Sequence, residues 1–171
     1  LPGAATWCFV VEEGVYTAAS DGVTLEAVRY LSTTTSSPGS WAGEPHSYAN
    51  AYTNPVVVGQ VMSANDPAWS TFWASGSLWY TPPNSGTLKT GKHVAEDPNR
   101  TRAAETIGFL VVEAGSGLLD GVSFAAGVGP ASVLGRTNGP PFSYTVPLAN
   151  PAGGVVSTAG MLGDNGGWPV L

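Results

Sequence analysis

Glycine and proline interrupt this chain so often that no long helix fits into it. There are 23 Gly and 14 Pro in 171 residues. Inside a helix each Gly costs about 1 kcal/mol and each Pro about 3 kcal/mol relative to Ala. Helical bundles and coiled coils are thereby excluded. Disorder is excluded by the opposite property: 43% of the residues are hydrophobic and 10% aromatic, enough apolar area to drive burial. What remains is an all-β domain with many turns. The length suits one domain over residues 1–171, large enough to bury a core without disulfides or metal.

Between the interruptions lie short strand-like runs, about ten or eleven of them. Trp7–Val11 and Gly14–Ala18 read as one or two strands. Val23–Leu31 reads as a strand or a helical turn, and Leu31–Gly43 as a polar loop. Tyr48–Tyr52 alternates in strand fashion until Asn54–Pro55 breaks it. Pro55–Ser63 and Thr106–Ala114 are β-branched runs suited to burial on both faces. Their Val56, Val58, Val61, Ile107, Phe109 and Val111 are the expected core. Trp69–Ala74 places Trp69, Thr71 and Trp73 on one face and Ser70 and Phe72 on the other. Leu78–Gly86 is a Pro-rich loop, and Asp120–Gly121 turns the chain between Leu118–Leu119 and Val122–Ala126. Ala131–Leu134, Phe142–Leu148 and Gly154–Leu162 complete the strands. So many short antiparallel strands bury both faces economically as two packed sheets or a closed barrel. The expectation is an antiparallel β-sandwich, jelly-roll or H-type-lectin-like.

Only 11% of residues are charged, against about 25% in an ordinary domain, and the net charge is −6. Nucleic acid is an unsuitable partner for such a chain. Lys89, Lys92, Arg100 and Arg102 do cluster, but Glu96, Asp97 and Glu105 are interleaved with them. No apolar run approaches the ~20 residues of a membrane-spanning helix. The start at Leu1 suits a processed secreted protein or a fragment of a longer one. Low charge with abundant Ser, Thr, Asn and Gly suits an extracellular or cell-surface location. Cys8, the single cysteine, sits among Trp7, Phe9 and Val10; it is expected as a buried thiol or, alternatively, in a bridge between chains.

Three stretches carry a resemblance: NPVVVGQVMSANDPAWSTFW (Asn54–Trp73), GKHVAEDPNRTRAAETIGFLVVEAG (Gly91–Gly115) and GMLGDNGGWPVL (Gly160–Leu171). Together they resemble a β module of secreted and surface proteins in marine and other environmental bacteria. That resemblance implies a location but no particular activity. The Tyr52–Val58 lead into a valine-rich strand, with the later Thr106–Glu113 strand, is distantly similar to the H-type lectin sandwich. This second resemblance implies an oligomeric six-stranded fold that binds amino-sugars between subunits. It does not reach the sugar-contacting positions, and none is carried over.

Motifs for chemistry are sparse. Glu12 and Glu13 are neighbours, so a strand would point them to opposite faces. His93-x-x-Glu96-Asp97 could supply metal ligands or an acid–base pair; the simpler reading is a hydrogen-bonded loop in which Arg100 or Arg102 pairs with the acids. His46 is the other histidine. No nucleophile elbow, phosphate loop or zinc-protease motif is present. No catalytic residue, metal or cofactor is therefore assigned. Asn99–Arg100–Thr101 matches the N-glycosylation pattern, a common chance motif.

The aromatic cluster says more. Trp69, Phe72 and Trp73 are expected in the core, whereas Trp79 and Tyr80, beside Thr81–Pro82–Pro83, can present rings to the faces of sugars. Trp79, Tyr80, Trp73 and His93 are the candidate ligand-binding residues. The nearly uncharged ends, with Trp7, Phe9, Trp168, Val170 and Leu171, are candidates for strand addition to a second copy. The expected function is non-catalytic adhesion or recognition, polysaccharide-binding and homo-oligomeric. The alternatives are a self-assembling fibre or surface-layer subunit and a metal-dependent enzyme using His93 and Glu96.

Overall fold

The computed structural model describes residues 8–132 and 143–161. It is nearly all β. Eleven short strands and one helical turn appear among the described residues: β1 (Gly14–Tyr16), α1 (Ala18–Asp21), β2 (Leu25–Ser32), β3 (Thr35–Ser36), β4 (Glu44–His46), β5 (Pro55–Val61), β6 (Thr71–Ser75), β7 (Leu88–His93), β8 (Glu105–Glu113), β9 (Gly115–Leu119), β10 (Val122–Ala126) and β11 (Thr158–Ala159). One sheet runs β1-β2-β8-β5, all antiparallel. The other runs β11-β6-β7-β3, with β4 also paired to β7.

The two sheets pack face to face because each supplies an apolar inner row. Val57, Ile107, Phe109 and Val111 from the first sheet meet Phe72, Ala74 and Leu88 from the second. The alternation is cleanest on β8, where every second side chain from Glu105 to Val111 is buried. A smaller cluster lies on the outer side of β2, where Leu25 and Ala27 are covered by Leu119 and Phe124. Those two come from the β9–β10 hairpin, which pairs only with itself. Its tip is Asp120–Gly121, both at positive φ (50° and 79°), the conformation a two-residue hairpin turn needs.

Several expectations are corrected. Val58 and Val61 are only half-buried: Val58 faces the outside of its sheet and Val61 ends its strand at the edge. Trp69 is 58% exposed rather than in the core. The strand begins only at Thr71, and the Trp69 carbonyl accepts from Arg102 Nε at 2.9 Å. Tyr48–Tyr52 is not a strand. Its polar groups bond to side chains and strand ends instead: the Ala49 amide donates to Glu26 Oε2 at 2.7 Å, and Asn50 Nδ2 donates to the Tyr16 and Leu25 carbonyls. Cys8 is exposed, not buried, and Cys8–Val11 forms no strand.

The 14–18 strand stops at Tyr16, where Thr17 caps α1. The 31–43 loop contains β3, and β7 was expected as no strand at all. Of the last three expected strands, Thr158–Ala159 is the part found among the described residues. Residues 143–148 are not in a strand, Ala131–Ser132 is a turn, and 133–142 lie outside the described residues.

Candidate functional site

The inner face of the second sheet carries a polar seam as well as the core. Strand alternation sends Leu88, Thr90 and Lys92 inward and Lys89, Gly91 and His93 outward. Thr90 Oγ1 lies 2.9 Å from Tyr30 Oη and 2.8 Å from His46 Nε2. Ser32 Oγ donates to Glu44 Oε2 at 2.6 Å, and Lys92 Nζ donates to the Ser32 carbonyl at 2.8 Å. Burial lowers the pKa of Lys92, opposed by the carboxylates of Glu44, Glu105 and Asp66. Burial also works to raise that of Glu105. Hydrogen bonds from Ser63 and from the Asn65 and Asp66 amides outweigh it and hold the group low. Thr90 and Lys92 are fully buried, so this seam ties sheet to sheet and offers substrate no approach.

On the outer face the same strands build an aromatic platform. Trp73 of β6 stands opposite Gly91 of β7, and its indole lies over two glycines. A Cβ on Gly91 would come within 3.1 Å of Trp73 Nε1, and one on Gly43 within 3.2 Å of Cη2. Side chains at either position would push the ring off the sheet. Trp41 packs edge-to-face with Trp73, their ring centroids 5.4 Å apart at 81°. Trp41 in turn stacks on His93 (4.5 Å, 23°) and on Trp79 (5.0 Å, 13°), and Trp79 meets Tyr80 at 87°.

The loop that presents Trp79 is held at three points. The Gly76 amide donates to the Thr81 carbonyl, Thr81 Oγ1 donates to the Leu78 carbonyl, and the Met161 amide donates to the Trp79 carbonyl at 2.9 Å. Trp79 and Tyr80 therefore stay 37% and 40% exposed on a fixed support. Lys89 adjoins the same loop, its Nζ donating to the Ser77 carbonyl. Such a surface can stack against the C–H face of a neutral ring while hydroxyls remain in water.

The structure thus divides the candidate residues. Trp79 and Tyr80 are on the surface. Trp73 is fully buried and His93 nearly so, so both underlie the platform and present almost no surface of their own. Burial pushes His93 down to about 4, and its Nδ1 accepts from the Ala95 amide at 2.9 Å. Glu96 is exposed, and no cluster of three metal-ligating side chains occurs among the described residues. Asp97 instead pairs with Arg102 at 2.7 Å. Of the assembly candidates Phe9 is 50% exposed, while Trp7, Trp168, Val170 and Leu171 lie outside the described residues. Trp41 is the member that sequence reasoning missed; a lone Trp in a Ser- and Gly-rich loop was the available signal. Compared with family models, with curated proteins and with solved structures, the chain matches none.

Proposed function

We propose that this chain is a non-catalytic recognition domain, working outside the cell or at its surface, that binds neutral polysaccharide through the Trp41–Trp79–Tyr80 platform. The observation that carries the reading is that Trp79 and Tyr80 remain exposed although their loop is fixed by hydrogen bonds and by stacking on Trp41. Rings ordered before binding lose little entropy when a ligand arrives. The similarity of Tyr52–Val58 and Thr106–Glu113 to H-type lectin strands points the same way.

The test is titration of the chain with uncharged soluble polysaccharides. Trp79→Ala should weaken binding about three- to tenfold, the worth of one stacked ring, with the unfolding temperature unchanged. Binding should persist in high salt, because exposed charge contributes little to it. Equal binding by Trp79→Ala and Tyr80→Ala would sink the reading.

Self-assembly is a second reading, favoured by the described N-terminal segment, where Phe9 is 50% and Val10 89% exposed. Sedimentation tests it: the intact chain should run as an oligomer, and deletion of Trp168–Leu171 or Phe9→Ser should release folded monomer. A chain that sediments as a monomer at high concentration would rule assembly out.

A further inference from the structure

The short strand β11 does more than extend a sheet. It adds to β6 in parallel, with Thr158 opposite Trp73 and Ala159 opposite Ala74. The segment 157–161 around it forms a clasp. Ser157 Oγ donates to the Val57 carbonyl at 3.2 Å, the Gly160 amide to the Ala74 carbonyl at 2.8 Å, and the Met161 amide to the Trp79 carbonyl at 2.9 Å. The clasp therefore meets the aromatic platform twice. Thr158 flanks Trp73, on which Trp41 packs, and Gly160–Met161 lie against the loop that carries Trp79 and Tyr80.

Gly160 makes the second contact possible. Its φ is +88°, and a Cβ there would come within 2.9 Å of the Thr81 carbonyl carbon and 3.0 Å of Pro82 N, so a side chain meets both backbone strain and collision. Bonds inside the loop, from the Gly76 amide to Thr81 and from the Thr81 amide to Leu78, close its turn without aiming it. Among the described residues, the one backbone bond that reaches 76–82 from outside is that of Met161.

The clasp can also lift. Residues 143–156, which lead into it, hold no strand or helix and are exposed at every position but Leu148. Thr158 Oγ1 is buried with no hydrogen-bond partner among the described residues, a cost borne only while the clasp is docked. A two-residue pairing of this kind belongs to the segments that open without global unfolding.

We infer that the 157–161 clasp positions the platform: docked, it holds Trp79 and Tyr80 against Trp41, and lifted, it frees their loop. Gly160 and Met161 are positioning residues that act through Thr81–Pro82 and the Trp79 carbonyl. The consequence for binding rests on the platform reading: docking of the clasp and occupation of the platform favour each other by the same factor.

Hydrogen exchange of the whole chain, read at single amides without ligand, tests the positioning. Met161→Pro removes the donor, and Gly160→Ala drives a methyl group against Thr81–Pro82. In both, the Gly76 and Thr81 amides should exchange about tenfold faster than in the parent, while those of β8 keep their rates. Met161→Leu, which retains the amide, should match the parent. Titration with mixed-linkage β-glucan, xylan and galactomannan in turn tests the coupling. Gly160→Ala should weaken binding of whichever polysaccharide the parent takes by about three- to tenfold, as loss of a ring does. Saturating ligand should slow exchange of the parent's own Gly160 and Met161 amides. Ile107→Ala, which is destabilised through the core instead, should bind as the parent does. Parent-like exchange at Gly76 and Thr81 in both variants overturns the inference, and so does equal weakening of binding by Ile107→Ala and Gly160→Ala. If Trp79→Ala and Tyr80→Ala bind as the parent does, the platform reading fails, while faster exchange in the clasp variants still upholds the positioning.

Discussion

Burial keeps the His93 imidazole neutral far into acid, and the lone pair on its Nδ1 accepts the Ala95 amide. The unfolded chain binds that proton near pH 6.5 and the folded chain only near 4. Between those values the unfolded state holds more protons, so stability falls as pH falls, by about 3 kcal/mol at the acid end. Asp66 and Asp97 act in the same direction at lower pH. Asp66 is held low by the Ala103 and Ala68 amides, and Asp97 by the Asn99 amide and then Arg102. Urea denaturation at pH 7 and pH 4.5 should show the loss, and His93→Asn, which retains an acceptor but does not titrate, should flatten it. Lys92 poses the complementary case of a fully buried cation whose one hydrogen bond among the described residues goes to the Ser32 carbonyl. Replacing it with an apolar side chain of similar length relieves desolvation. It also leaves the Glu44 and Glu105 carboxylates without that cation, so Lys92→Met should cost about 3–5 kcal/mol, and Lys92→Ala, which adds a void, should cost more. Chemical denaturation of the two variants separates these outcomes. At this scale the sequence was readable where the local context agrees with the fold. Trp79 and Tyr80 stand beside Pro82–Pro83 in a loop, whereas Trp69 precedes a strand whose first residue cannot be told from its neighbours by alternation alone.

The strands divide by the kind of residue that fills them. β5 and β8 are β-branched runs and were legible, because burial against a second sheet needs just such side chains. β7 lies between β6 and β3 and also takes β4, yet it reads LKTGKH. Two lysines, a glycine and a histidine break any apolar alternation, and no strand is read there from sequence. The pattern makes sense only after the partners are known: Thr90 and Lys92 serve the polar seam, and Gly91 makes room for Trp73. Close approach also sets the spacing of β5 and β6. A Cβ on Gly59 would come within 2.7 Å of the Phe72 ring and 2.8 Å of the Gly108 carbonyl. Gly59→Ala should thus lower stability by about 1–3 kcal/mol, measured by thermal or urea unfolding; a neutral result would mean the sheets separate there without cost. The β9–β10 hairpin is the element tied down least, being paired only with itself and exposing Leu118 and Val122. Its amides should exchange with deuterium well before those of β2 and β8.

The whole molecule is a sandwich whose dry core occupies one part of the interlayer and whose polar seam occupies the rest. Ile107 and Val111, both fully buried, belong to the dry part, and Ile107→Ala should cost about 2–5 kcal/mol by the same denaturation assay. That the chain would be all β was plain from glycine, proline and β-branched residues alone. Which strands neighbour one another was not, because pairing depends on contacts between residues far apart in the chain. One such contact has a bearing on how the chain is made. The clasp at 157–161 reaches back to Val57 across 100 positions, and it emerges from the ribosome 48 residues after β8 ends at Glu113 and the clasp ends at Met161. At about 5–20 residues per second that is an interval of about 2–10 s. During it the rest of the two sheets can assemble while the facing rims of β5 and β6 stand uncovered, free to pair with another nascent chain. The yield of correctly folded protein should therefore depend on how crowded and how warm its synthesis is.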